Sequence, residues 1–528
     1  MKITDIRSPI SRLPTFGGLK PALLCIFCAG CLVVFPALPA AAATMCYVKG
    51  DTSQNIVSHP LGSNRNPYGS LAVVEADTDC ETIIVLYSSV ALDGGITLTD
   101  SQKLEGRMGP GNALPVISNT TAANNDGHGV QLAANNTIAK LHIRDSYNSA
   151  VVGGNVGKFK IKDSLITGFG QSEALVTNGF GDVVSPHGLF LTSTNDVNIE
   201  MTKTEISEAK GSAVIIVALA GHADIAIDNL TVRNLGIVDG AYAAAGVAVI
   251  GAGASSVDAV VRQSSVSNIG GGDSNSDGMV FLAVQSSTMT VVIDEYSYLN
   301  PDGDGGPSAM GLEIGNFHGS GASFEATVKN STFHGGSSLG MQIIDLGSGG
   351  GSNFLSVHIH NNEFYDSAFS GIELDFGQGA AFGTNILTIE DNLIVNAGNN
   401  GIEVFSIREQ QNVLNVLLQR NTIINSAHAG LAFYQVLGAG AATLNLDAGL
   451  GGLGSEGNNK IINSQGADIY VEAFDCCGLP PTPPFTVEAA NNWWGSASGP
   501  ATVIEFGGAT VDVTPFLTEE PKDKKHKD

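Results

Sequence analysis

The chain has little positive charge. Its 528 residues hold 25 Lys and Arg against 51 Asp and Glu, a formal net charge of −26. So few cations cannot neutralise a run of phosphates, which excludes nucleic acid as a partner. Anionic polymers are repelled too, unless a cation sits between. Aromatics are also scarce, and both tryptophans stand side by side in "NNWWGSASGP" (Asn491 to Pro500), so that one stretch needs a reason of its own. Charged residues make up only 14%, yet 43% are hydrophobic, which rules out disorder for want of apolar surface. After residue 43 no run reaches the ~18 apolar residues of a membrane helix. Cysteines are few, and Cys46, Cys80, Cys476 and Cys477 follow the first 43 residues without a zinc-ligand spacing.

The N-terminus has the order of an export signal. Lys2, Arg7, Arg12 and Lys20 precede the apolar "PALLCIFCAGCLVVFPALP", and small residues follow up to Ala43. That pattern predicts a secretory signal peptide over residues 1–43 and a secreted, cell-surface or periplasmic protein. Its removal takes Lys2, Arg7, Arg12, Lys20 and Asp5, leaving a formal charge of −29. Export permits oxidation, so a Cys46–Cys80 bridge is expected, with Cys476 and Cys477 vicinal or reduced.

The rest of the chain repeats itself. "NEFYDS", "NLIVNA", "NTIINS" and "NKIINS" begin at Asn362, Asn392, Asn421 and Asn459. Glycines 246, 278, 311, 340, 371, 401 and 430 each open an apolar alternation such as "GIELDF" or "GIEVF", at spacings of 29 to 33 residues. Alternation with period two predicts strands, and helical spacing is almost absent. No single repeat can bury a core alone; stacked coils can. The inward column is expected to hold Ile206, Val232, Val266, Phe333, Phe364, Ile394, Ile423 and Ile461. A second column of Asn234, Asn268, Asn300, Asp366, Asn396, Asn425 and Asn463 is expected to turn a corner in left-handed geometry and bond from coil to coil.

Three places resemble right-handed parallel β-helix proteins of the pectin-lyase-like superfamily. They are "NPYGSL" to "GGITLTDSQKLEGR" (Asn66 to Arg107), "GHGVQLAANNTIAKLHIRDS" (Gly127 to Ser146), and "NNWWGSASGP" with "VDVTPFL" (Val511 to Leu517). The resemblance implies an all-β, right-handed parallel β-helix solenoid of roughly eleven coils, capped at both ends. The expected organisation is a cap and opening coils over 44–110, repeats over 111–475, a closing segment over 476–517 and a solvated charged tail over 518–528. Trp493 and Trp494 would plug the end, each indole N–H finding a partner; a sugar-stacking platform is the other reading. The superfamily hosts lyases, hydrolases, epimerases, adhesins and accessory proteins, so it implies no single activity.

Candidate chemistry is acidic. Glu313, Glu373 and Glu403 stand two residues after the repeat glycine and are expected outside, with Glu373 and Glu403 on adjacent coils. Asp375 and Asp345 are expected to add further carboxylates nearby. Paired carboxylates at that spacing suit glycoside hydrolysis; a solvated acidic strip is the plain alternative. "DSNSDG" offers Asp273, Asn275 and Asp277 for calcium, and "NPDGDGG" adds Asp302 and Asp304 one coil later. No cofactor is required by the sequence. Histidines are scattered; His358 and His360 share a face. The basic residues of polyuronate lyases and the Asp-Asp and His-Gly motifs of polygalacturonases are missing. The expected function is contact with an extracellular polysaccharide or cell-surface glycan, as a binding or adhesin-like protein. The alternatives are a glycoside hydrolase or other polysaccharide-degrading enzyme, and a passive envelope protein.

Overall fold

The computed structural model describes residues 44–53, 55, 58–170, 176–177, 183–184, 186–236, 245–270, 277–300, 309–319, 321–347, 352–376, 382–407, 413–437, 443–475 and 485–522. All of these belong to one compact unit. The expected signal segment, Cys476, Cys477, Asp273, Asn275, Asp302 and Asp304 lie outside the described residues.

Period-two segments form strands, and the strands pair in parallel with the strand about thirty residues on. Two parallel sheets result, of 27 and 14 strands. The coil after Gly340 shows the plan. Met341–Gly347 lies in the smaller sheet, while Ser352–His360 and Glu363–Tyr365 lie in the larger. The chain therefore winds as a right-handed parallel β-helix, the hand that twisted strands favour for parallel crossovers. The smaller sheet counts fourteen rungs among the described residues, against the roughly eleven expected. The difference lies in early short rungs such as Ile96–Thr97 and Val130–Leu132, which lack the repeat's full alternation.

The lumen is filled by the inward column. Ile206 faces Val232, and the pairing runs through Val266, Tyr298, Phe333, Phe364, Ile394, Ile423 and Ile461. All are buried, each contributing ~1.5–3 kcal/mol by leaving water. Tyr298 takes the rung that the sequence column skipped. Phe333 and Phe364 stack at 4.7 Å, the rung spacing itself.

The corners are asparagine work. Asn234, Asn268, Asp366, Asn396, Asn425 and Asn463 all have φ between 50° and 60°, the left-handed region that asparagine tolerates. Asn425 Nδ2 donates to Asn396 Oδ1 at 3.0 Å, and Asn396 Nδ2 to Asp366 Oδ1 at 2.9 Å. Asn300 is absent from that set; it is buried instead. A second ladder runs inside: Asn362, Asn392, Asn421 and Asn459 each donate Nδ2 to Oδ1 of the next, ending on Asn492. The repeat glycines have a steric cause. A Cβ on Gly401 would lie 2.3 Å from Ile423 Cγ2 and 2.6 Å from the Gly430 carbonyl.

Both ends are closed. Leu71 and Val74 of the short helix Leu71–Glu75 join the core at the start, where Cys46 and Cys80 form a disulfide. At the far end Trp494 joins the core at 3% exposed, while Trp493 is half-buried and extends the last rung by accepting from Ile461 N at 2.9 Å. The plug reading holds for Trp494. Its Nε1 is buried without a partner, against expectation, because the indole seals an apolar cross-section. Glu520, in the segment expected to be a solvated tail, pairs with the buried Lys460 at 3.2 Å.

Candidate functional site: a carboxylate column on the smaller sheet

Strand alternation decides which side chains leave the lumen. In Ile372–Phe376 the residues Ile372, Leu374 and Phe376 are buried, so Glu373 and Asp375 project outward and stay half-buried. In Ile402–Ile407, Glu403 and Phe405 do the same. Register sets Glu373 opposite Glu403 and Asp375 opposite Phe405. The Glu373 column continues through Gln342 to Glu313 on one side, and through Ala432 to Tyr470 on the other. The fold thus brings Glu313, Glu373 and Glu403 into one column, with Gln342 between the first two. Asp345 is not among them. It occupies an inward register position opposite Asn316, is 2% exposed, and accepts from Asn353 Nδ2 at 2.9 Å. Counting parity from Gln342 would have placed it there from the sequence.

The two glutamates of the pair live in different surroundings. Burial pushes the Glu373 carboxyl up to about 7, and the charges of Glu403 and Asp375 add to this against a hydrogen bond from Gln342 Nε2. Burial and then Glu403 likewise raise Asp375 to about 6, and its Oδ1 is buried without a donor. Glu403 is held by donors instead. Its Oε2 accepts from Ser370 Oγ at 2.6 Å, Asn400 Nδ2 at 2.8 Å and Asn399 Nδ2 at 3.4 Å.

Asn400 is itself oriented. Its Oδ1 accepts from Ala429 N at 3.1 Å and lies 2.9 Å from His428 Nδ1. An amide oxygen can only accept, so His428 carries a proton on Nδ1 and the Asn400 nitrogen is turned toward Glu403. These helpers sit at bends. In the sequence His428 is one of several scattered histidines, and Ser370, Asn399 and Asn400 carry no signal beyond their place just before a repeat glycine.

Toward the C-terminus the same face becomes aromatic. Phe405 and Tyr434 lie 6.5 Å apart between ring centres, Tyr434 and Tyr470 5.3 Å, and Tyr470 and Phe506 6.0 Å. Tyr434, Tyr470 and Ile504 pack over the buried Ala429, Ala432 and Ala467. Toward the N-terminus, burial raises Glu313 to about 7. Asp277 opens the strand Asp277–Val284 and is raised to about 8, by burial first and then by Glu313. It is the one residue of the expected calcium set that is described, and its Oδ1 has no partner. Among the described residues, the one cluster of His, Cys, Asp or Glu close enough to share an ion is Cys46, Asp77 and Cys80, and the disulfide consumes two of its ligands.

His358 and His360 belong elsewhere, on the larger sheet. His358 Nε2 lies 2.9 Å from Glu390 Oε1, and Arg420 bridges Glu390, Asp391 and Glu456. Burial opposes ionisation of Glu390, but Gln419, His358 and Arg420 outweigh it and draw the carboxyl down to about 2. This is a paired structural network.

Fold and site together define a parallel β-helix with a half-buried acidic and aromatic face. A family described as a protein of unknown function (DUF1565) matches residues 347–482, the segment that carries Glu373, Glu403 and the first three rings. No curated protein matches the chain. Similar solved structures include a double mutant of a periplasmic alginate epimerase, at 11% identity over 72% of this chain and 78% of that one, TM-score 0.39. The A-module of a mannuronan C-5 epimerase from Azotobacter vinelandii is 13% identical over 78% of this chain and 94% of its own, TM-score 0.34. A family 28 exopolygalacturonase from Yersinia enterocolitica is 11% identical over 84% and 80%, TM-score 0.32. Similarity this remote assigns no chemistry, which rests on the residues.

Proposed function

We propose that the protein is an exported glycoside hydrolase that works on a polysaccharide with Glu373 as general acid and Glu403 as nucleophile. The observation that carries this reading is the pair itself. Two carboxyls stand on adjacent rungs, one pushed up to about 7 by burial and one surrounded by donors. One rung is ~4.8 Å, close to the ~5–5.5 Å of retaining enzymes. Glu373 gives its proton to the leaving glycosidic oxygen as the bond from the anomeric carbon breaks, and a Glu403 oxygen bonds that carbon. The Glu373 carboxylate then takes a proton from water; the water oxygen displaces Glu403 and the configuration is retained. Export is supported by the order of residues 1–43 and by the Cys46–Cys80 disulfide, which suits an oxidising compartment. Calcium at Asp277 and its neighbours in sequence remains a separate proposal, checked by melting the protein with and without a chelator. An unchanged melting temperature removes it.

The test is turnover of a panel of neutral and acidic oligosaccharides by wild type, E373Q and E403Q. Wild type is expected to cleave at least one, with a loss of ~10³-fold or more in each variant. A non-catalytic adhesin would use the same face to bind only, so wild-type binding without turnover on the whole panel would replace hydrolysis by that reading.

A further inference from the structure

We infer that the glycan taken by this face is an uncharged chain, running along the stacking axis from the Glu373–Glu403 pair over Tyr434 and Tyr470 to Phe506. The inference rests on the carbohydrate reading above but not on catalysis. Its first ground is charge. In the two outward columns that run through Val280 and Leu282 the described positions carry Glu313, Glu373, Asp375, Glu403 and Glu472, and as far as Phe506 no Lys or Arg. A uronate or sulfated chain would meet five acidic side chains and no Lys or Arg in these columns, so its own charges would be desolvated there without a compensating cation.

The second ground is the line of rings. Phe405, Tyr434, Glu472 and Phe506 continue one outward column, and Tyr470 stands beside it in the glutamate column. Ring centres follow at 6.5, 5.3 and 6.0 Å, a step comparable to one sugar of an extended chain. Apolar C–H faces of sugars stack on such rings, and uncharged sugars do so without a desolvation cost for charge. The rings are fixed in place. Tyr470 packs on His428 at 5.1 Å between centres and donates its hydroxyl to Glu472 Oε2 at 2.6 Å. Phe506 is 54% exposed, an open platform at the end of the row. A preorganised row of this kind loses little side-chain entropy on binding.

The test uses E373Q, so that binding is read without turnover. Titration calorimetry with neutral hexa-saccharides of several linkages is compared with polygalacturonate and alginate oligomers of the same length. Binding of at least one neutral chain is expected, with no measurable binding of the uronates. Phe506→Ala and Tyr470→Ala are each expected to weaken the neutral chain about tenfold or more, while Tyr470→Phe, which keeps the ring, is expected to bind within about twofold. Circular dichroism melts identify any variant that fails to fold, and Phe506→Ala, at an exposed position, keeps the test open in that case. Tighter binding of a uronate chain, or unchanged affinity in Phe506→Ala and folded Tyr470→Ala, overturns the inference. Neutral-chain binding that depends on the rings, in a protein whose wild type turns nothing over, would sustain it while removing hydrolysis.

Discussion

Glu373 and Glu403 differ by what surrounds them, and each difference can be measured. Activity is expected to fall as pH rises through about 7, where Glu373 loses the proton it must deliver. Glu403→Gln removes a neighbouring negative charge, so the Glu373 carboxyl should titrate lower in that variant. His428 acts through Asn400 and is a positioning residue. His428→Ala is expected to lower kcat on the order of tenfold with KM little changed, and Asn400→Asp to lower it further by setting a like charge against Glu403. A pH–rate profile separates this from a packing defect, because a misplaced Glu403 alters the profile's shape, whereas a loss of folded protein scales it uniformly. Of the site residues, the glutamates were legible because parity from the repeat glycine is enough to point them outward. Ser370, Asn399 and Asn400 were not, since their reach across a coil depends on how each bend is set.

At the scale of single rungs and ladders, the sequence spoke more clearly. Glycine spacing and the buried column from Ile206 to Ile461 announced the coil, because a strand's side-chain period is two and a solenoid must repeat its inward residues. The same logic misjudged the opening rungs, where strands shrink to two or three residues and leave too few alternations to count. The inner asparagine ladder carries a testable load. Asn421 donates Nδ2 to Ile389 O at 2.8 Å and to Asn459 Oδ1 at 3.0 Å, and its Oδ1 accepts from Asn392. Asn421→Ala leaves several buried groups unpaired, each costing ~1–3 kcal/mol. Urea unfolding is expected to show a loss on the order of 3 kcal/mol; a loss below about 1 kcal/mol would mean the ladder is idle. Trp494→Ala opens the end of the core and is expected to cost ~3–5 kcal/mol, with greater exposure of apolar surface to a dye.

Over the whole molecule, the buried carboxyls tie stability to pH. Glu313 and Glu373 are raised to about 7, Asp375 to about 6 and Asp277 to about 8. Folded protein therefore holds protons that the unfolded chain has already released, and stability falls as pH rises from about 4.5 to about 8. Glu390 works the other way. Drawn down to about 2, it stabilises the fold above its unfolded value and loses that contribution as pH falls below about 4.5. The melting temperature is expected to peak between these ranges and to decline steadily toward pH 8. A flat curve over that interval would contradict the burial of the acidic face. Substrate identity was not legible from the repeat pattern, because a β-helix positions residues without dictating which ones stand outside.

The winding of the chain makes neighbours of Glu373 and Glu403, and the rest of the functional account depends on that proximity. Carbon-detected NMR titration of the Glu373 carboxyl, in wild type and in Glu403→Gln, tests it without any substrate. The account predicts a midpoint of about 7 in wild type that drops clearly in the variant while staying above the ordinary 4.5, because burial persists. A midpoint near 4.5 in wild type, or one that does not move when Glu403 is neutralised, would contradict it.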